Sequence, residues 1–367
     1  MTIAKIQRMR YFFMIPNLLF GKAVGITAGV MARKLGADTW ISMTIGFMIG
    51  IAIMLLMVYL CSKFPDKTII EFAEVLIGKW VGRGIGIILA LFFIMAFGAS
   101  ANVMTLHLSE YFLPETPFFI ICLLYTLLCM YGVFLGVEVV VRFSLVGFIM
   151  IVLINIAMVT GTIEDIKTIN LLPLMDRGLI SDIAGSIYIF GDISMAILAV
   201  GFLYPMLNKK KKVFRITFWA MVTGAFMVII WPIYEILVLG PDLMKQTVVV
   251  CMRLIRCAQL TKYVPRYELI MVSFFTFGVL VQSVAMFYCA KYCIKQITKI
   301  KKDWIMILPL TVILVFVTYY MAVDHNNYVN FLSFPYSQIC AALSISLPVI
   351  LFFTALFRGK LKRRKQV

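Results

Sequence analysis

The chain has 367 residues, of which 63% are hydrophobic and 14% charged, and its mean hydropathy is +1.01. Soluble globular proteins carry about 25% charged residues, so this composition excludes a water-soluble fold. The 34 Lys and Arg outnumber the 17 Asp and Glu, but they cluster between apolar stretches and not on one polar domain. They read as topology signals and not as a nucleic-acid surface.

Met1 to Arg10 is not a short apolar leader with a small-residue cleavage site, so it reads as a cytoplasmic tail and not as a signal peptide. Crossing a hydrocarbon core of about 30 Å takes roughly 20 mostly apolar residues whose backbone groups bond within their own helix. Such spans are expected near 11–31, 39–62, 86–107, 116–136, 139–161, 183–206, 214–238, 267–290, 304–323 and 334–357. The fold class is therefore all-α integral membrane, about ten transmembrane helices in a single polytopic domain over 1–367. With the N-terminus inside, cytoplasmic segments hold 24 Lys or Arg and outside segments 9. Because short-loop cations are retained on the cytoplasmic side, the orientation is N-in, C-in. Trp40, Trp80, Trp231 and Trp304 fall near span ends, where an indole favours the headgroup level.

Three connections have character of their own. After span 2, FPDKTIIEFAEVLIGKWVG predicts a short amphipathic cytoplasmic helix, started by Pro65 and Asp66 and stopped near Gly78. After span 5, NLLPLMDRG is a turn-rich outside loop with Pro173 and Gly178. After span 7, Arg253, Arg256, Gln259 and Lys262 recur every third residue among apolar neighbours. That stripe suits a helix lying in the outer interface, and equally a cap over an outward-facing cavity. Most of the eight cysteines sit in apolar runs without metal-ligand spacing and are read as packing residues. A Cys251–Cys257 disulfide is conceivable, but on a helix the two would point apart.

No phosphate loop, Rossmann glycine pattern, paired histidines at helical spacing or nucleophile elbow is present. An enzyme is not expected, nor any cofactor or metal. The informative residues are charges inside spans, which in a membrane face a partner or a polar cavity. Lys22 lies about halfway along span 1 in Gly21-Lys22-Ala23-Val24-Gly25, and Asp192 about halfway along span 6 in Phe190-Gly191-Asp192. Spans 1 and 6 open two five-helix halves, about 11–161 and 183–357, so a charge beside glycine recurs at corresponding places. An inverted repeat predicts this, with helices 1 and 6 broken near the midplane and freed backbone groups facing a ligand. Lys22 and Asp192 are then expected side by side, with the ammonium where a coupling cation would otherwise sit. Two plainer readings stand beside this one. Gly21, Gly25 and Gly29 form a small-residue stripe that also suits close helix packing, and Lys22 could pair with another polar group. Asn102, Tyr188, Gln282, Ser283 and Tyr288 complete the candidate ligand site, or simply join helices. Glu138 and Arg142 have the spacing of a surface ion pair, and Arg266 and Glu268 are placed to anchor the stripe helix.

The order of motifs resembles the spore germination permeases, the B subunits of GerA-type germinant receptors, within the amino acid, polyamine and organocation transporter superfamily. The resemblance rests on Ala37-Asp38-Thr39-Trp40, Phe64-Pro65-Asp66-Lys67-Thr68, Gly78-Lys79-Trp80-Val81-Gly82, Thr116-Pro117, Gly136-Val137-Glu138 with Arg142, Asn170-Leu171-Leu172-Pro173, Pro205 and Arg266-Tyr267-Glu268. It implies a five-plus-five inverted repeat, residence in the spore inner membrane, and a complex with an A subunit and a lipoprotein C subunit. It also implies sensing of a small-molecule nutrient, with Gly25 and the span 8 face as the place of binding. Lys22 departs from the pattern expected of such a family, and a cation there would favour a carboxylate-bearing ligand. A stand-alone, sodium-independent amino acid transporter is the rival reading, and a purely structural scaffold the third.

Overall fold

The computed structural model describes residues 6–175, 178–247, 249–257, 267–300, 302–323 and 325–360. Every regular element among them is helical: α1 (Arg8–Lys22), α2 (Ala28–Leu35), α3 (Thr39–Lys63), α4 (Ile69–Ile77), α5 (Lys79–Tyr111), α6 (Phe118–Leu135), α7 (Val137–Thr162) and α8 (Leu179–Gly185), followed by α9 (Phe190–Leu203), α10 (Val213–Leu239), α11 (Pro241–Gln246), α12 (Val250–Cys257), α13 (Tyr267–Thr298), α14 (Asp303–Val323), α15 (His325–Phe331) and α16 (Ser337–Phe357). Among the described residues, 9 stretches are long and apolar enough to cross a membrane. The first, Arg8–Lys63, has 56 residues, about 84 Å at 1.5 Å per residue and far more than one crossing needs. It divides at Gly36, whose φ of +61° and ψ of −128° are closed to residues with a Cβ.

One face of the bundle, here the terminal face, holds both described ends of the chain. Ile6 exchanges backbone hydrogen bonds with Met206 and Asn208, Lys210 reaches Pro65 and Asp66, and Lys360 donates to the Val75 carbonyl. Ends on the same face require an even number of crossings, so the divided first stretch brings the total to the ten expected. On the opposite, distal face, the Asp38 carboxylate accepts from the Met175 amide, and Lys167 and Asn170 bind the Leu237 carbonyl.

In lipid, helices associate through close packing and not by expelling water from apolar surface. Small residues therefore mark the inner contacts. A Cβ on Gly46 of α3 would sit 2.2 Å from Ile189, and one on Gly50 would sit 2.7 Å from Ile193. These glycines let α3 lie directly against α9. The α8–α9 stretch is the most enclosed of the nine, and α1 is buried from Met14 to Lys22. Outer helices α6, α7, α14 and α16 instead show Leu124, Tyr131, Ile156, Phe316 and Ile350 at the surface, where lipid chains would meet them.

Several boundaries differ from the sequence reading. The amphipathic helix α4 is capped by Thr68 and not by Pro65 or Asp66. The Thr68 hydroxyl accepts from the Glu71 amide and the Glu71 carboxylate accepts from the Thr68 amide, a reciprocal capping box. Helix α13 continues past the expected 290 to Thr298, carrying Lys291 and Lys295 to Asp303 at 3.1 Å and 2.5 Å. Trp231 is not at a headgroup level but fully buried against Phe20, with ring centres 6.2 Å apart, whereas Trp80 is 85% exposed. All eight cysteines are free, so Cys251 and Cys257 are not joined. Of the cationic stripe, Arg253 and Arg256 face outward from α12 while Val250, Cys251, Leu254 and Ile255 are buried. Gln259, Lys262 and Arg266 lie outside the described residues.

Candidate ligand site around a buried ion pair

The site is built where two helices leave α geometry. After α1, residues Ala23–Thr27 form a π-helical turn. At 3.6 residues per turn, side chains five apart lie about 140° around an α-helix, but the wider π turn brings Lys22 and Thr27 to one side. Such turns recur at functional sites. Across the bundle, Ser186–Ile189 is a 3₁₀ turn between α8 and α9. The interruptions expected in spans 1 and 6 are therefore present as a widened and a tightened turn, and the backbone is not unwound.

Lys22 and Asp192 meet between them. The ammonium lies 3.0 Å from Asp192 Oδ1 and 3.1 Å from Oδ2, and the two side chains are 2% and 0% exposed. Thr27 closes a triangle, its hydroxyl accepting from Lys22 Nζ at 2.9 Å and donating to Asp192 Oδ2 at 2.8 Å. The Tyr336 ring stands 5.4 Å from the ammonium, within reach of a cation–π attraction. With the pair sheltered from water, neither charge is screened, and each is held by the other.

Gln282 of α13 fixes the start of the turn. Its Oε1 accepts from the Lys22 amide at 3.1 Å and its Nε2 donates to the Leu18 carbonyl at 2.7 Å. In a regular helix those two backbone groups bond each other, so the side-chain amide braces the last turn of α1. Gly21 makes the room: a Cβ there would lie 2.5 Å from Gln282 Oε1. A Cβ on Gly25 would lie 2.3 Å from Val103, and one on Gly191 would lie 3.2 Å from Tyr336 and 3.4 Å from Lys22 Nζ.

The structure thus gathers Gly21, Lys22, Gly25, Gly191, Asp192 and Gln282. Asn102 is buried in α5 with Thr105 on its carbonyl oxygens, while its Nδ2 has no partner. Tyr188 is half-buried, and its backbone oxygen accepts from Ser337 at 3.2 Å. Two candidates bond elsewhere. Ser283 accepts from Tyr125 of α6 at 3.1 Å, and Tyr288 lies toward the terminal face under Lys291, 4.7 Å from its ring. Sequence reasoning missed Thr27, Tyr336 and Ser337. Thr27 has no α-helical relation to Lys22, and a hydroxyl in an apolar span carries no distinctive signal. It also missed Glu235, which lies three residues from the expected end of span 7. Among the described residues, no three His, Cys, Asp or Glu side chains gather to hold a metal ion.

Ten crossings, two interrupted helices and a buried ion pair between them define a membrane protein with a transporter-like fold. A solved structure of Mhp1, a nucleobase-cation-symport-1 family transporter in a closed conformation with bromovinylhydantoin bound, superposes with a TM-score of 0.66 at 12% identity, covering 99% of this chain and 82% of that one. This likeness establishes the fold. The chain itself belongs to the spore germination protein family, the spore permeases, which it matches over residues 5–326. Spore germination protein KB of Bacillus subtilis (strain 168) is 26% identical over 257 residues, 66% of this chain and 65% of that protein. Thus the match spans just under two thirds of that relative's length. Spore germination protein GerQB of Bacillus cereus is 23% identical over 345 residues, 92% of each chain.

Proposed function

We propose that this chain is the membrane-embedded, permease-like subunit of a spore germinant receptor, and that it binds a small polar nutrient, such as an amino acid, beside Lys22 and Asp192. The observation that carries this reading is the enclosed triangle of Lys22, Thr27 and Asp192 at the two helix interruptions. Family membership supports the germination role, and the transporter-type fold supports a mid-membrane ligand site. Gly21, Gly25, Gly191 and Gln282 shape the site, with Asn102 and Tyr188 at its margin. Ser283 and Tyr288 would act from farther along α13. The ligand drives a change of helix packing only to the extent that it binds one arrangement better than the other.

In this reading the two halves, about 11–161 and 183–357, are inverted repeats, and the terminal face is cytoplasmic by its excess of Lys and Arg. The protein resides in the spore inner membrane and passes its change of packing to an A subunit and a lipoprotein C subunit. It senses and does not catalyse. The test is nutrient-triggered germination of spores carrying Thr27→Val or Lys22→Met, with protein abundance followed by immunoblot. A shifted or lost nutrient response at normal abundance is the expected result. An unchanged response in both variants at normal abundance would overturn the site.

A further inference from the structure

Glu235 is 0% exposed within α10, and neither of its carboxylate oxygens has a hydrogen-bond partner. One turn earlier, Trp231 is equally enclosed and its indole N–H is also unpartnered. Between them, Pro232 has no N–H to offer the carbonyl one turn back, which weakens α10 where its distal part begins. That part runs on through Gly240 into α11 and α12.

Helix α12 is seated over the π turn. Cys251 Sγ lies 3.9 Å from the Gly25 carbonyl and 3.7 Å from His107 Nε2. His107 Nδ1 lies 2.6 Å from the Val103 carbonyl. A carbonyl can only accept, so Nδ1 carries a proton, while Nε2 faces the thiol of Cys251. The ring is thus held between Val103 and Cys251, and neither of its nitrogens is a hydrogen-bond partner of Glu235.

The other elements packed on α10 supply no counter-charge. Lys22 of α1 is committed to Asp192. Asp242 and Lys245 of α11 pair with each other at the surface. Arg253 and Arg256 are on the exposed side of α12, and Glu164, Asp165 and Lys167 beyond α7 are exposed. Asp38, ahead of α3, accepts from the Met175 amide. An ionised carboxylate with neither donors nor a cation is strongly disfavoured inside a membrane bundle, whereas the neutral acid is tolerated.

We propose that Glu235 is a proton-binding site beneath a distal gate made by α11 and α12: it carries a proton while α12 is seated and yields it to distal-side water when α12 lifts. The proton leaves from a carboxyl oxygen, the carboxylate that remains is hydrated through the opening, and reprotonation lets α12 settle again. The coupling holds whether the chain senses or transports its ligand, so it stands apart from the reading above.

The test uses the purified full-length protein in lipid nanodiscs. Infrared spectra should contain the carbonyl stretch of a protonated carboxylic acid that Glu235→Gln lacks. Glu235→Asp, which retains the acid but displaces it, should keep the band at a shifted frequency. In a Cys257→Ser background, raising the pH until the band disappears should open Cys251 to a water-soluble thiol reagent. Cys251 in Glu235→Gln should stay protected at that same pH. The proposal is overturned if wild type and Glu235→Gln share the same acid band, if Glu235→Asp leaves it unmoved, or if Cys251 labels equally in both proteins at every pH.

Discussion

Replacing Asp192 with Asn leaves the Lys22 ammonium buried at 2% exposure, with an amide in place of its counter-charge. Removing one partner of a buried ion pair destabilises by about 3–5 kcal/mol, because the remaining charge has lost its attraction without regaining water. Screening does not soften this estimate here, since both side chains are enclosed. The Thr27 hydroxyl and the Tyr336 ring continue to hold the ammonium, which places Asp192→Asn toward the lower end, about 3 kcal/mol. Adding Lys22→Met removes the stranded charge, and the charge left buried and unpaired accounts for much of the loss when one partner is removed. The double variant should therefore recover most of the loss, about 2 kcal/mol or more. Denaturant unfolding in nanodiscs, followed through buried Trp231, measures each corner of this double-mutant cycle. If Asp192→Asn unfolds like the wild type, or if adding Lys22→Met deepens the loss, the enclosed pair does not hold the bundle as described.

Two further substitutions probe the surroundings. Gly25→Ala drives a methyl to 2.3 Å from Val103 and 3.0 Å from Phe275, so it should destabilise by about 1–3 kcal/mol through overpacking and be partly rescued by Val103→Ala, both read by the same unfolding assay. Thr68→Ala removes the capping box of α4 together with the hydroxyl that accepts from Gln296 at 2.7 Å. It should lower stability by about 1–2 kcal/mol and speed proteolysis near α4, while Thr68→Ser retains most of both contacts.

Much of the fold was legible because a bilayer admits few solutions. Apolar runs of crossing length, with cations gathered at alternate ends, require a helical bundle whose ends share a face. Lys22 and Asp192 were legible for the same reason, since a charge far inside an apolar span needs a partner. Glu235 was obscured by its position. Three residues from the expected end of span 7 it was not singled out, and only the packing of α12 against α10 shows it enclosed. Trp231 was misplaced for the same cause, because an indole near a span end looks the same in sequence whether it meets headgroups or Phe20.

The sequence by itself determined that the chain is a membrane-spanning helical bundle, roughly where it crosses, and which two charges must find partners. Tertiary structure alone decided that Thr27 bridges those charges, that Gln282 braces the end of α1, and that Ser283 and Tyr288 bond elsewhere. The physical reason is that crossing a membrane is a property of each segment's own composition. Which side chains meet inside depends on helix rotation and local turn width. A single π turn carries Thr27 round to Lys22, and no periodicity in the sequence announces it.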